Sequence, residues 1–383
     1  MAGGAFKGST MATLSRSNYR TVSARHDPVP PKITVRIVAG KLEIEPADQF
    51  TGFLRTDGSP EVIEKGEPDV LYLNNGAGQF KPVSWTGGAF LNENGQPLLT
   101  APEEWGLSVM IRDFNGDGAP DIYVCNDFSF SRDRFWLGDG QGRFRAAPAH
   151  IWRSMPASSM AVDVADINRD GHDDFLVVEM LSRAHSLRQR QQANAFHPAL
   201  GLPIGNPGYH PEVLRNTLHV ARGDGTFAEL AWFSGLAMSD WSWSVAFLDV
   251  DLDGWEDVLV CTGNNHDVLD MDAQHALDRA GPNNPKRGLQ FYPKLEQRNL
   301  AFRNRRDLTF EDRSAAWAFN DVDISHAMAL GDLDNDGDLD VIVNNLNREA
   351  WLYRNETTAP RMPIQTRRLS RSKSLGAAGN AAL

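Results

Sequence analysis

Four short acidic stretches have the residue types and the spacing of a calcium-binding loop. The densest lies within Gly331–Asn344, where five aspartates fall in nine residues and a β-branched run follows directly. Like charges at that density repel one another unless a cation lies among their oxygens. With the first aspartate as position 1, carboxylates stand at positions 1, 3, 5 and 9, and Gly337 stands at position 6, where the loop must turn sharply. Hard oxygen donors at this spacing predict a Ca²⁺ site, because Ca²⁺ takes roughly 6–8 of them.

The same pattern begins at residues 113, 166 and 249, so the chain carries four copies in register. One copy alone could be an ordinary polar turn, but four copies between β-patterned strands indicate a repeated metal loop. We therefore predict about four Ca²⁺ ions, held by the side chains at positions 1, 3, 5 and 9 and by the carbonyl at position 7. The predicted metal ligands are Asp113, Asn115, Asp117, Asp121, Asp166, Asn168, Asp170, Asp174, Asp249, Asp251, Asp253, Asp257, Asp332, Asp334, Asp336 and Asp340.

These loops differ from an EF-hand at a specific place. An EF-hand needs a bidentate Glu at position 12 and flanking helices, whereas position 12 here is Val124, Val177, Val260 or Val343. The last carboxylate stands at position 9 instead, so the loop should close across a β-turn and lead into a strand. That geometry indicates a structural staple rather than a sensor.

The four loops do not carry equal charge. Asn115 and Asn168 place a neutral oxygen at position 3, which leaves three formal charges in those two loops and four in the loops at 249 and 332. We expect the latter two to bind Ca²⁺ more tightly, since ligand charge tunes affinity. Four bound ions would change the net charge from −12 to about −4. We expect folding to depend on calcium, because its removal leaves 14 clustered carboxylates unscreened.

The elements that position these loops form a repeat. Each loop joins two apolar strands, and a hairpin with a Gly-rich turn follows it, as in Phe135–Phe144. The loop starts are separated by 53, 83 and 83 residues, and insertions of helical composition at about 181–213 and 264–298 account for the excess. A unit of four strands in roughly 50 residues is typical of a propeller blade. The sequence thus predicts an all-β propeller with five evident blades, the first of them without an acidic loop.

Strand direction sorts the connections of each blade. The metal loop and the Gly-rich turn should lie on one face of the propeller, and the two helical insertions should emerge on the opposite face. Two long insertions on one face of a repeat fold mark a binding surface or reflect variation in loop length, and the sequence leaves both interpretations open.

Polar and aromatic residues precede three of the loops and form a second candidate site. Aligned on the loop starts, three serines fall at the same position and would lie at the propeller mouth opposite the metal. The interpretation that we favour is structural, with strand-initiating hydroxyls and core tryptophans. A ligand-binding role would involve Ser159, Trp241, Ser242, Trp243, Ser325 and His326. No nucleophile or carboxylate partner for His326 is readable from the sequence.

Composition limits the partners and the compartment. The net charge of −12 argues against nucleic acid or an anionic membrane as partner. No apolar run approaches the roughly 20 residues of a membrane span. The two cysteines, Cys125 and Cys261, occupy equivalent places in separate repeats, so we expect both to be buried free thiols. The first 30 residues show no secretory signal.

Several motifs resemble a known family. Pro68–Asn74, Gly118–Asp127, Gly331–Asn347 and Leu352–Glu356 are similar to the FG-GAP/VCBS repeats of integrin-α-like calcium propellers. More narrowly, they resemble the cartilage-acidic-protein-like family, in which the propeller precedes an ASPIC/UnbV domain. The resemblance implies a seven-bladed, calcium-binding propeller that is secreted or on the cell surface, binds protein or glycan partners and has no established catalytic chemistry.

We expect three regions: a disordered lead over 1–31, the propeller over 32–360, and a disordered Arg/Ser-rich tail over 361–383. The tail has no strand pattern where the family would enter its ASPIC/UnbV domain, which indicates a truncation or a changed reading frame. With five evident blades, closure of the ring is an open question, since an open propeller leaves bare strand edges.

Two functions of different classes follow. The first is a non-catalytic, calcium-binding module for interaction or adhesion, with a protein or glycan partner. The alternative is a hydrolase or lyase that acts on polysaccharide at the Ser/Trp/His mouth. A concentrated set of acid/base residues outside the metal loops would favour the enzyme, and the sequence does not show one, so we predict that the protein is not an enzyme.

Overall fold

The structure is a computed structural model. It describes residues 12–13, 33–38, 41–54, 58, 60–127, 131–191, 210–280, 291–357 and 369–372. Two compact units are present. The first comprises residues up to 107 together with 142–145, and the second comprises residues 108–141 and those from 146 onwards. The described chain is nearly all β, as the repeat pattern predicts, and its three helices are short.

The strands beside each acidic loop, and the hairpin after it, lie close to where the sequence repeat predicts them. Their bounds are β1 Ala12–Thr13, β2 Thr34–Val38, β3 Lys41–Glu45, β4 Phe50–Leu54, β5 Pro60–Glu64, β6 Leu71–Asn74, β7 Phe80–Pro82, β8 Phe90–Leu91, β9 Gly106–Arg112, β10 Asp121–Asn126, β11 Arg134–Gly138, β12 Phe144–Ala146, β13 Met155–Pro156, β14 Ala161–Ala165, β15 Asp174–Val178, β16 Glu212–Val213, β17 Thr217–Ala221, β18 Phe227–Glu229, β19 Ser242–Leu248, β20 Asp257–Thr262, β21 Gln297–Arg298, β22 Leu300–Asn304, β23 Phe310–Asp312, β24 Val322–Asp323, β25 Ser325–Gly331, β26 Asp340–Asn345, β27 Trp351–Asn355 and β28 Leu369–Ser372. The helices are α1 His185–Gln191, α2 Ala231–Ser234 and α3 Met271–Ala280.

The first unit consists of hairpins. Thr34–Val38 and Lys41–Glu45 form a hairpin, in which β2 pairs with β3 from Thr34↔Glu45 to Val38↔Lys41. Further on, β4 pairs with β5, and β6 pairs with β7 around the Gly-rich turn. The second strand of that last pair is β7, which ends at Pro82.

The second unit repeats a four-stranded plan. Blade B is the sheet β14-β15-β17-β18, blade C is β19-β20-β22-β23 and blade D is β25-β26-β27-β28. Upstream of these, β9, β10 and β11 are neighbours in one sheet and belong to blade A. We name the acidic stretches by their blades, so that loops A, B, C and D are residues 113–121, 166–174, 249–257 and 332–340.

The blades share one register. Position 9 of each loop is the first residue of the second strand, and in blades B, C and D it pairs with the residue that precedes position 1. In blades C and D the register then shifts near the start of the first strand, at Ser242/Ser244 and Ser325/Ala327. The first strands of successive blades, β14, β19 and β25, pack side by side, as a propeller requires.

The core of the second unit lies between neighbouring blades. One face of each second strand turns to the next blade, and its residues are almost fully buried in blades A, B and C. The opposite face turns back to the preceding blade, so Phe175 and Val177 pack with Tyr123 and Cys125. Both cysteines are buried and unpaired, as predicted.

Blade D differs from the others on its forward face. Leu259 of blade C is fully buried, whereas the equivalent residue of blade D, Ile342, is 38% exposed. Asn344 is also exposed, and the residue at its place in blade C is the buried Cys261. Within the described residues, this apolar face therefore carries no following blade.

The two insertions contain helices, as their composition predicts, and these helices meet. The Gln191 amide of α1 donates to both carboxylate oxygens of Asp267 at 2.9 and 3.0 Å. Arg190 pairs with Asp270, whose side chain caps the start of α3 by accepting the Ala273 N–H. Residues 192–209 and 281–290 of the insertions lie outside the described residues.

The terminal regions are described only in part. Most of 1–31 and of 361–383 lies outside the described residues, so the expected disorder there stays a prediction. Two short strands fall inside these regions, since β1 pairs with β6 and β28 pairs with β27. The expectation that no strand follows residue 360 is therefore wrong for Leu369–Ser372, whose backbone completes the edge of blade D.

Candidate metal centres

The aspartate at position 9 fastens each loop to the third strand of its own blade. Its Oδ2 accepts the backbone N–H of position 2 at 3.0–3.1 Å in all four loops. Its Oδ1 accepts a backbone N–H from the end of the third strand at 2.8–2.9 Å. The donors to Oδ1 are Gly138, Ala221, Asn304 and Asn355. The metal loop and the turn after the third strand therefore lie at the same end of each blade, as the strand directions predict.

The aspartate at position 1 holds the loop backbone in a tight turn. Its two carboxylate oxygens accept the N–H groups of positions 5 and 6, as Asp249 does from Asp253 and Gly254 at 2.9 and 2.8 Å. Position 6 is Gly in every loop, with φ between 85° and 98°, a region that L side chains rarely adopt. Position 4 also has positive φ throughout, and there loop C places Leu252 with φ 51°. The sequence indicated the turn at position 6 but not the second one at position 4.

Positions 3 and 5 are linked in two different ways. In loops A and B the amide of Asn115 or Asn168 donates to the carboxylate of position 5 at 3.0 or 2.9 Å. In loop C an arginine joins the two positions, since Arg303 Nε donates to Asp251 at 2.6 Å and Arg303 Nη2 to Asp253 at 2.5 Å. In loop D, Arg354 pairs with Asp334 and lies 3.9 Å from Asp336.

The oxygen atoms of two loops converge closely enough for one cation. Asp249, Asp251 and Asp257 in loop C each offer an oxygen within 4.8 Å of the others, and so do Asp332, Asp334 and Asp336 in loop D. These are the groups of three that the described residues contain. Asparagine at position 3 reduces the acidic residues of loops A and B to three, and its side-chain oxygen accepts the N–H of position 5.

One carboxylate of loop D and one carboxylate oxygen of loop C are buried without a hydrogen-bond donor, as a cation site allows. Asp338, at position 7 of loop D, is 2% exposed, yet neither of its carboxylate oxygens has a hydrogen-bond partner. Oδ1 of Asp251 in loop C is likewise buried without a partner. A buried carboxylate oxygen without a donor is costly unless a positive charge lies beside it. The all-oxygen donor set suits a hard cation such as Ca²⁺.

Burial disfavours the charged form of several loop carboxylates. It raises the pKa of Asp257 to about 8 and those of Asp121 and Asp174 to about 7, although the backbone donors act in the opposite direction. For Asp338, burial and the nearby Asp336 raise the pKa to about 7. A divalent cation in the loop would favour the charged form of each of these groups.

One set of anchoring residues was not predicted from the sequence. Asp133, Asn216 and Asn299 each stand just before a third strand, and a side-chain oxygen of each accepts the N–H of the residue at the end of the second strand, at 2.7–3.1 Å. They lie five residues before the residue that donates to position 9. Aligning the sequences of the third strands on that residue would have revealed this Asp/Asn position.

The six predicted mouth residues differ in their burial and in their partners. Ser159, Ser242 and Ser325 are fully buried at the start of three different blades. Their hydroxyls are engaged inside the protein: Ser159 donates to Asp133 at 2.6 Å, Ser242 contacts Ser239 at 2.7 Å, and Ser325 donates to the Asn345 side chain at 2.8 Å.

The aromatic members of the mouth set divide into two groups. Trp241 is buried, with an indole nitrogen that has no hydrogen-bond partner. Trp243 is half-buried, donates to the Gly263 carbonyl at 2.6 Å and lies 4.7 Å, ring centre to ring centre, from His326. Burial lowers the pKa of His326. The structure thus brings Trp243 and His326 together.

The acidic loops fall within a known repeat. Residues 113–177, 208–260 and 294–343 match the FG-GAP-like repeat, and these three segments contain loops A to D. No curated protein matches the chain. The structure resembles that of a chain in the crystal structure of BBS1N in complex with ARL6DN, soaked with lead. The identity is 8%, the TM-score is 0.34, and 85% of this chain and 78% of that chain are covered. A likeness at that TM-score carries no argument about function.

Membrane insertion by a helix finds no support in the described chain. None of its helices combines the length and the apolar character that a bilayer crossing needs.

Proposed function

We propose that this chain of FG-GAP-like repeats is a calcium-stabilised β-propeller that serves as a non-catalytic module for binding a protein or a glycan. The observation that carries the proposal is the equivalence of the four loops. Each presents oxygen donors at positions 1, 3, 5 and 9, and each is tied by position 9 to the third strand of its blade. Four loops built alike inside a repeat support a structural ion rather than a reaction centre.

The residues that would hold calcium are the side chains at positions 1, 3, 5 and 9 of each loop. When bound, the ion would supply positive charge to the oxygens of these side chains, which connect the first and second strands of the blade. The loop residues keep their oxygens turned inward through the backbone bonds to positions 1 and 9. We propose a secreted or cell-surface location from the family resemblance, and calcium modules outside the cell bind in the range of about 10⁻⁴–10⁻³ M.

The partner surface that we propose is the end of the blades opposite the metal loops. The helices α1 and α3 lie there, and Gln191 and Arg190 of α1 bind Asp267 and Asp270 in the segment that leads into α3. Joined helices present a fixed surface, and a fixed surface loses less conformational entropy when it binds. Asp272, His275, Asp278 and Arg279 of α3 are exposed on it.

The engaged serines support a role without catalysis. A nucleophilic serine needs a neighbouring base and access to a substrate. Ser159, Ser242 and Ser325 are fully buried and bonded to Asp133, Ser239 and Asn345. No observation favours the polysaccharide-active alternative.

Thermal unfolding with calcium and with a chelator tests the metal. A ligand that binds only the folded state stabilises it by about 2.7 kcal/mol at 100 times its Kd, so we expect calcium to raise the Tm by several degrees and the chelator to reverse the rise. Mg²⁺ at the same concentration is the matched control. A Tm that is the same with calcium and with chelator would contradict the proposal.

A further inference from the structure

The residue next to the position-9 donor differs between the blades in a regular way. Because Gly138, Ala221, Asn304 and Asn355 occupy the same place, the residues that precede them are also equivalent. These are Leu137, Val220, Arg303 and Arg354. The two aliphatic residues stand in the blades with Asn at position 3, and the two arginines stand in the blades with Asp at position 3.

The side chains at positions 3 and 5 form a neighbouring pair in every loop. Positions 3 and 5 lie side by side, and two carboxylates there repel each other. In loops A and B the asparagine supplies an N–H to its neighbour, so the pair closes by itself at 2.9–3.0 Å. In loops C and D an aspartate at position 3 has no proton to donate, and the arginine of the third strand bridges the pair instead.

The bridge is strongest in loop C. The side chains of Asp251 and Asp253 are 8% and 15% exposed and that of Arg303 is 26% exposed, so the contact is mostly sheltered from water. Arg306 adds a second contact to Asp253 at 2.9 Å. In loop D the Arg354 side chain is 50% exposed, which weakens its bond to Asp334. Charge-assisted contacts of the kind in loop C are among the stronger hydrogen bonds in proteins.

We propose that Arg303 and Arg354 are built-in counter-ions that keep loops C and D closed without calcium, as the asparagine amide does in loops A and B. Each arginine also cancels the charge that the fourth carboxylate adds. Loops C and D should then bind calcium no more tightly than the other two, contrary to the order expected from the carboxylate count. The inference rests on the proposed function only for its statement about calcium, since the bridge itself is formed by residues of the chain.

The test is a rescue experiment in chelator. Arg303→Leu places in blade C the residue found in blade A and leaves Asp251 beside Asp253. We expect amide exchange of Asp253 and Gly254, whose N–H groups bond to Asp249, to become roughly tenfold faster, because a hydrogen bond to a charged group contributes about that factor or more. Asp251→Asn combined with Arg303→Leu recreates the blade A pair and should restore slow exchange.

Matched variants separate the bridge from a general loss of charge. Arg305→Leu removes an exposed arginine two residues further on and should leave the exchange of both amides unchanged. Arg354→Leu, with Asp334→Asn as its rescue, should give the same pattern at Asp336 and Gly337 with a smaller amplitude. The proposal is overturned if Arg303→Leu exchanges like the wild type, or if the double variant exchanges as fast as Arg303→Leu.

Adding calcium to Arg303→Leu distinguishes this inference from the proposed function. If the cation replaces the guanidinium, calcium restores slow exchange in the single variant and changes wild-type loop C little. If the rescue by Asp251→Asn succeeds but calcium has no effect in any blade, the arginine bridge stands and the calcium proposal is the one that fails.

Discussion

Position 9 has the most demanding role among the loop residues. Asp257 accepts the N–H of Val250 from its own loop and that of Asn304 from the third strand, and it is 1% exposed. Both donors lose their partner if the carboxylate is removed, and a buried N–H without a partner costs about 1–3 kcal/mol. This residue therefore contributes to the blade whether or not an ion is present.

Asp257→Ala should lower the free energy of unfolding in chelator by about 2–4 kcal/mol, because two buried backbone donors become unsatisfied. Denaturant unfolding measures the loss, and the chelator removes any contribution from calcium. Asp173→Ala, which breaks the exposed ion pair with Arg112, is the control and should cost less than about 1 kcal/mol. Equal losses for the two variants would show that the position-9 clamp does not hold the blade.

At the scale of the element, each blade is stabilised by its neighbour. A four-stranded sheet has two apolar faces, and both must be covered for the residues on them to leave water. Blade C meets this condition, because Leu259 and Cys261 pack in one cluster with Val341 and Val343 of blade D. The forward face of blade D, which contains Ile342, is open within the described chain.

This difference predicts unequal costs for the same kind of truncation. Leu259→Ala should destabilise the protein by about 2–5 kcal/mol, since it leaves a cavity between two blades. Ile342→Ala at the equivalent place should cost about 1 kcal/mol or less, since water already reaches that side chain. Denaturant unfolding of the two variants measures the loss of stability in each. If Ile342→Ala lowers the free energy of unfolding as much as Leu259→Ala does, the forward face of blade D is covered in solution.

For the whole molecule, buried histidines link stability to pH. His219 is fully buried in blade B, where its ring stacks on Phe175 at 4.4 Å. Burial lowers its pKa from 6.5 to about 3 and that of His210 from 6.5 to about 4. Because the unfolded chain takes up these protons near pH 6.5 and the folded chain does not, this part of the stability is present above pH 6.5 and is lost as the pH falls toward 3–4.

His219→Phe should remove part of this pH dependence while an aromatic ring stays against Phe175. Between pH 6.5 and 5 the wild type should lose roughly 1–2 kcal/mol more than the variant, at about 1.4 kcal/mol for each pH unit in that window. Unfolding in denaturant at several pH values measures the difference. His185→Phe, at an exposed position of α1, controls for the loss of one histidine, and a variant curve parallel to that of the wild type would contradict the assignment to His219.

The sequence by itself determined what is local. The four loops, the strands beside them, the helices in the insertions and the two free cysteines follow from residue spacing, because a turn, a strand and a carboxylate cluster are each specified within about ten residues. Local reasoning was not sufficient for the mouth residues. The alignment of three serines did not reveal that their hydroxyls form hydrogen bonds inside the protein.

The tertiary structure decided which distant groups meet. Arg303 lies 52 residues from Asp251 and Asn216 lies 37 residues from Glu179, yet each pair is in contact. Counting carboxylates in the sequence therefore does not give the net charge at a loop. The third strand adds its own charge there once the blade has folded. The physical reason is that ligand positions are local, whereas the counter-charges and the burial that tune them come from the packing of the third strand and of the next blade.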